Sequence, residues 1–268
     1  MMGCLEKLAA RRRKTGAILC IGLDPDLEKM PAVVARGAEP LYHFSRLVVE
    51  ATSRYACAFK PNLAFFEAYG SKGIAQLEKL LAEIPSEVPT ILDGKRGDIG
   101  NTSRLYARFL FEHLNGDAAT INPYLGQDSL EPFFDYPGKV AFVLCLTSNP
   151  GSADIQTLQT GGRAVYQGVI DHLRAFDGRY GLVVGAQHQE MLADVRQRAP
   201  NAPLLIPGVG AQGGELAGAV TQAATGGAPA LINVSRDILY ASSQSDFAEQ
   251  AAARAEWYVA AMKPLLSP

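Results

Sequence analysis

The sequence predicts an α/β fold of the (β/α)8 TIM-barrel type, and three observations carry that prediction. Eight short β-rich runs follow one another along the chain. Several are apolar at every position, as parallel strands covered by helices must be. They recur over seven intervals in the 210 residues from Asp24 to Val234, about 30 residues each, which leaves room for a crossover helix. Eight such units favour a closed barrel over an open doubly wound sheet. Residues 1–268 read as one barrel domain, because no segment between the runs is long or distinct enough for a second.

In chain order, an amphipathic N-terminal segment ends in Arg11-Arg12-Arg13-Lys14, positive charge that suits the solvated end of a helix. Ala17–Asp24 is the first strand, apolar until Asp24. Ala56–Asn62 is the second, and Leu63–Ile84 beyond it carries helical spacing. Pro89–Asp93 is the third strand and Ser103–Leu114 its crossover helix. Ala118–Asn122 and Lys139–Leu146 supply the fourth and fifth strands. A helix over Ala164–Phe176 leads to Gly181–Gly185 and then Leu204–Pro207. Leu216–Thr225 is a helix, Ala230–Val234 the eighth strand, and Phe247–Met262 the closing helix.

Composition narrows the function. With 48% hydrophobic and 19% charged residues, the chain is too apolar to be disordered. A formal net charge of −2 gives no basic surplus for a nucleic-acid partner. No run approaches the ~20 apolar residues of a membrane span, and the N-terminus lacks a secretory pattern, so a cytoplasmic protein is expected. Cys4, Cys20, Cys57 and Cys145 are too scattered for a zinc ribbon. Three of them fall in apolar runs and are expected as reduced core thiols. His43, His113, His172 and His188 form no metal motif, and neither a metal nor a cofactor is expected.

Polar residues collect where the strands end. Asp24, Lys60, Asp93, Lys95, Asn122, Thr147, Ser148, Gln212 and Arg236 stand at or just past C-terminal strand ends, which share one mouth in a barrel. In Leu92-Asp93-Gly94-Lys95-Arg96-Gly97-Asp98-Ile99, period-two alternation puts Asp93 and Lys95 on one side of a strand that continues through Lys95. Gly94 permits close backbone approach. A neighbouring carboxylate favours the ammonium, which donates a proton to a carbanion and stabilises developing negative charge. An internal ion pair, with Arg96 in solvent and Asp98 capping the next helix, fits the same spacing.

Pro207 to Gly214 is a glycine-rich turn before a helix, whose N–H groups suit phosphate. Gln212 adds an amide and Arg236 a bidentate charged contact. A tight βα turn and a surface ion pair are the plainer alternatives. Phe59-Lys60-Pro61-Asn62 and Thr147-Ser148-Asn149-Pro150-Gly151 offer ligand contacts or ordinary strand-end and turn structure. The polar, glycine-bearing stretch Ser152–Gly162 has the composition of a ligand lid.

These segments, with Gly22-Leu23-Asp24-Pro25-Asp26, Asp93 through Gly100, and Val234-Ser235-Arg236-Asp237-Ile238, resemble the orotidine 5′-phosphate decarboxylase family in the same order, especially its longer bacterial branch. The resemblance implies cofactor-independent conversion of orotidine 5′-monophosphate (OMP) to uridine 5′-monophosphate (UMP) and carbon dioxide in pyrimidine nucleotide biosynthesis. It implies that Lys95 protonates the carbon losing its carboxylate, and that Asp93 lies near that carboxylate. Asp98 then completes the charge network from the partner subunit of a homodimer with shared active sites. Asp24 and Lys60 are implied ribose contacts, joined by Thr102 of the opposite subunit. Ser148, with Thr147 beside it, is implied at the pyrimidine, and Gln212 and Arg236 at the phosphate. A lysine-dependent aldolase of phosphorylated metabolites and a non-enzymatic phosphate-binding protein are the competing readings of the same turn and lysine.

Overall fold

The computed structural model describes residues 2–210, 215–225 and 227–266. Its barrel strands are β1 (Leu19–Leu23), β2 (Ala58–Pro61), β3 (Ile91–Arg96), β4 (Ala118–Ile121), β5 (Val140–Leu146), β6 (Tyr180–Val184), β7 (Leu204–Pro207) and β8 (Ala230–Val234). The longer α-helices are α1 (Cys4–Thr15), α2 (Pro40–Thr52), α3 (Gly70–Glu83), α4 (Gly100–Arg108), α5 (Gln127–Phe134), α6 (Val165–Leu173), α7 (Gln189–Arg198), α8 (Leu216–Ala224) and α9 (Phe247–Leu266). The strands run parallel in the order β2-β1-β8-β7-β6-β5-β4-β3. Single bridges, Phe59 to Thr90 and Asn62 to Asp93, join the two edge strands and bring the sheet round into a barrel.

All eight expected strands form, and alternation sorts their side chains. Leu19, Ile21 and Leu23 face outward into the core shared with the helices. Cys20, Ala58, Ile91, Ala118, Val140, Phe142, Val183, Leu205 and Leu231 meet inside the barrel, where Cys4 and Leu8 of α1 close its N-terminal end. All four cysteines are free and buried, Cys4 included. Burial pushes the Cys57 thiol up to about 12.

The elements differ from expectation in four places. β3 runs to Arg96 because a register shift between Leu92 and Arg96 carries its pairing past the acidic–basic run. Leu63–Ile84 is two pieces, a short turn at Ala64–Glu67 and then α3, which begins at Gly70 with φ 59°, a left-handed conformation that interrupts helix propagation. α2, α5 and α7 arise where no helix was expected. α7 buries only Leu192, Val195 and Arg196, a stripe too thin to announce itself. Finally, Arg12, Arg13 and Lys14 do occupy the last turn of α1, but Arg11 is buried rather than solvated. Its guanidinium donates to the carbonyls of Ser53 and Ala56 and fastens α1 beneath β2.

Candidate active site

Two residues beyond the apolar interior layer, the same inward face carries Gly22, Lys60, Asp93, Thr120 and Asn233. The barrel therefore turns from apolar to polar at its C-terminal mouth. Gly22 has to lack a side chain: a Cβ there would lie 1.9 Å from the Ser235 hydroxyl and 3.3 Å from Asn233 Oδ1.

One carboxylate organises the mouth. Lys60 Nζ donates to Asp93 Oδ2 at 2.5 Å, and Lys95 Nζ donates to Asp93 Oδ1 at 2.7 Å. Thr120 Oγ1 donates to Asp93 Oδ1 at 2.8 Å and accepts the Lys95 backbone N–H at 3.0 Å. Solvent reaches 49% of the Lys95 side chain but only 8% of that of Asp93 and 5% of that of Lys60. Burial pushes the Asp93 carboxyl up, yet attraction to Lys60 and then Lys95, with their hydrogen bonds, outweighs it and holds the group well below the carboxylate range. Burial pulls Lys60 down, but Asp93 and then Asp24 raise it above the ordinary lysine value. The site thus keeps an anion between two cations.

Asp93 and Lys95 do meet, though not through a regular pleat. Lys95 has φ 47° within the irregular part of β3, and its N–H goes to Thr120 rather than to the ladder. The bulge re-aims the side chain that alternation alone would have placed. Gly94 is packed as expected, since a Cβ there would sit 2.8 Å from Leu63 Cδ1. Arg96, which the alternative ion-pair reading left in solvent, is instead half-buried, paired with Glu67 and stacked over Tyr106 at 5.5 Å.

A cavity of about 160 Å³ opens beside this network, with Asp24, Lys60, Asp93, Ser148 and Arg236 in its wall and Gly208 and Val209 at the β7 end. Asp24 Oδ1 and Asn233 Oδ1 are buried there without a hydrogen-bond partner among the described residues. Among the described residues no carboxylate or carbonyl pairs with the exposed Arg236 guanidinium.

Comparison with known proteins decides the family. A sequence profile described as the orotidine 5′-phosphate decarboxylase / HUMPS family matches residues 17–251. The chain belongs to that family. It is 47% identical over 260 residues to the orotidine 5′-phosphate decarboxylase of Thermomicrobium roseum, covering 95% of this chain and 92% of that one. The structure of Leishmania donovani OMP decarboxylase matches with a TM-score of 0.80 at 37% identity, over 96% of this chain and 99% of that one. Leishmania donovani UMP synthase matches at 0.85 and 40% identity, over 98% of this chain, which spans 57% of that longer protein.

The site residues expected from the sequence fall into four groups. Asp24, Lys60, Asp93, Ser148 and Arg236 converge on the cavity, and Lys95 joins them through Asp93. Thr147 lies off the wall: its hydroxyl donates to Asn149 Oδ1 and accepts from Gln156, while its carbonyl accepts from Gln187. Through Gln156, the Ser152–Gly162 stretch is tied to the end of β5, and it folds as a 3-10 turn followed by a small hairpin. Asp98 and Thr102 stand apart from the cavity, Asp98 accepting the Ile99 N–H at 2.8 Å and Thr102 exposed on α4. Gln212 lies outside the described residues. Sequence reasoning missed Thr120 and Asn233, both reachable by counting two residues on from the apolar interior layer.

Proposed function

We propose that this chain decarboxylates OMP to UMP and carbon dioxide in pyrimidine nucleotide biosynthesis, as a single barrel domain acting in a cytoplasmic homodimer. The observation that carries the reading is the carboxylate shared by Lys60 and Lys95 at a barrel mouth whose wall also holds Arg236, an arginine with no acidic partner among the described residues. The bond from the ring carbon to its carboxylate breaks, carbon dioxide leaves without the electron pair, and the pair takes a proton from Lys95 Nζ. Water then restores the ammonium. Asp93 serves twice: its carboxylate holds the Lys95 ammonium by a hydrogen bond at 2.7 Å, and it presents negative charge to the substrate carboxylate, a repulsion that departure of neutral carbon dioxide relieves.

The orphaned Asp24 oxygen is suited to a ribose hydroxyl, as is the Lys60 ammonium beside it. Ser148 faces the pyrimidine, with Thr147 shaping the turn that presents it. Arg236, the turn after β7 and Gln212 take the phosphate. Asp98 and Thr102 act in the neighbouring subunit's site. Exposed Ile99, Leu105 and Tyr124 around them favour a subunit contact there.

The test is direct. The purified chain is expected to release carbon dioxide from OMP after exhaustive chelation, and Lys95→Ala is expected to lose nearly all turnover while remaining folded. Near-normal turnover in that variant removes Lys95 from the role, and borohydride trapping of a substrate imine on Lys95 would point to an aldolase instead.

A further inference from the structure

The last helix reaches the arginine end of the cavity. Asp237 follows Arg236 directly and shares the cavity wall. A carboxylate there opposes an anionic ligand and competes for the Arg236 guanidinium. Its charge is engaged from behind. Arg254 of α9 reaches Asp237 Oδ2 with Nε at 2.8 Å and Nη2 at 2.7 Å, and Tyr258 donates its hydroxyl to the same oxygen at 2.6 Å. Arg254 is itself held over the Trp257 ring at 4.4 Å. Tyr258 also abuts the turn after β7: Gly210, with φ 81°, leaves no room for a Cβ, which would fall 2.8 Å from the tyrosine oxygen.

We infer that Arg254 and Tyr258 are positioning residues for the phosphate subsite, neutralising and orienting Asp237 so that Arg236 stays free for the ligand. The inference rests on the proposed function, because it takes Arg236 to bind the phosphate of OMP. Neither α9 side chain touches the ligand; both act through Asp237 and the turn at Gly210. Burial, reinforced by the bond to Asp237, pushes the Tyr258 hydroxyl up, so it remains a donor across the physiological range.

The experiment compares OMP with its dephosphorylated form, orotidine, in the full chain. Arg254→Ala is expected to raise KM for OMP roughly tenfold, with kcat nearly kept, as loss of one charge-assisted contact predicts. The kcat/KM for orotidine should stay within about twofold of wild type, since that substrate has no phosphate to repel. Adding Asp237→Asn to Arg254→Ala should recover most of the loss, and Arg254→Lys should fall between. Equal losses for OMP and orotidine, or no recovery in the double variant, would overturn the inference and leave α9 a purely structural support. Wild-type protein that turns over neither substrate would overturn the proposed function beneath it, and the inference with it.

Discussion

Asp93 is the residue whose removal should cost most, and the reason lies in the arithmetic of one anion held by two cations. At 2.5 Å the Lys60–Asp93 attraction is about 7 kcal/mol before desolvation, taking an effective dielectric of 20. Removing both groups from water offsets much of that, so the pair adds little net stability, whereas breaking it typically costs about 3–5 kcal/mol. Lys60→Met leaves Asp93 still hydrogen-bonded by Lys95 and Thr120, and belongs at the lower end of that range. Asp93→Asn leaves a buried Lys60 ammonium with a second ammonium beside it, and belongs at the upper end. The order Asp93→Asn worse than Lys60→Met is therefore the first expectation.

The pH dependence sharpens it. In the wild type, Lys60 is raised above its unfolded value of about 10.4, so its contribution is complete below that pH and is lost above it. In Asp93→Asn the partner is gone, burial pulls the Lys60 value down, and the folded variant binds fewer protons than the unfolded chain. Its stability then rises with pH toward 10.4, and the deficit relative to wild type shrinks. On the acid side Asp93 is depressed, so its contribution is present above about 3.9 and disappears as pH falls toward its lower folded value. The deficit should be largest between about pH 5 and 8. Urea unfolding at pH 4, 7 and 10, with matching m-values, measures it. A deficit unchanged between pH 7 and 10 would refute the reasoning, since an uncompensated buried lysine must report its proton.

Three further outcomes follow from the same geometry. Thr120→Val removes both the donor to Asp93 and the acceptor for the Lys95 N–H, so kcat should fall about tenfold with KM little changed and stability reduced by about 1–2 kcal/mol, read by steady-state kinetics and urea unfolding. Asp98→Asn and Lys95→Ala should each be nearly inactive alone, but co-refolded mixtures should regain about a quarter of wild-type activity, because each mixed dimer rebuilds one intact site; no recovery counts against a role for Asp98 across the interface. Arg236→Ala should weaken UMP binding by about 2 kcal/mol and leave uridine binding nearly unchanged by calorimetry, the phosphate contact being charge-assisted.

The strands were legible because buried parallel strands are apolar on both faces, and Lys60 and Asp93 were legible because a charge at the end of such a run has few reasons to be there. Thr120 was less visible. Ala118-Ala119-Thr120-Ile121-Asn122 draws the eye to Asn122 at its end, whereas Thr120, on the same face and buried one step closer to interior Ala118, is the residue that reaches Asp93. Asn233 hides in the same way, two residues after Leu231 in an otherwise apolar strand. α5 and α7 escaped because each supports the barrel with a short stripe interrupted by proline or charge, Pro132 lying inside α5 itself, whereas α2 carries a full stripe of Leu41, Phe44, Val48 and Val49 that helical spacing would have found. Asp98 and Thr102 stand outside the cavity, a placement that one chain's local spacing had no means of fixing.

The left-handed conformation at Lys95 was the least legible feature, and it ties the others together. A non-glycine residue there costs of order 1–3 kcal/mol unless its surroundings impose it. Thr120 does so from β4 by accepting the Lys95 N–H, while Asp93, itself anchored by Lys60 from β2, draws the ammonium inward. Thr120 and Lys60 come from the strands on either side of β3, so the aim of Lys95 depends on barrel closure as well as on its local spacing from Asp93. Without the bulge, the ladder would claim the Lys95 N–H and Thr120 could not serve both groups. Backbone strain and buried charge are thus parts of one arrangement, in which loosening either releases the lysine.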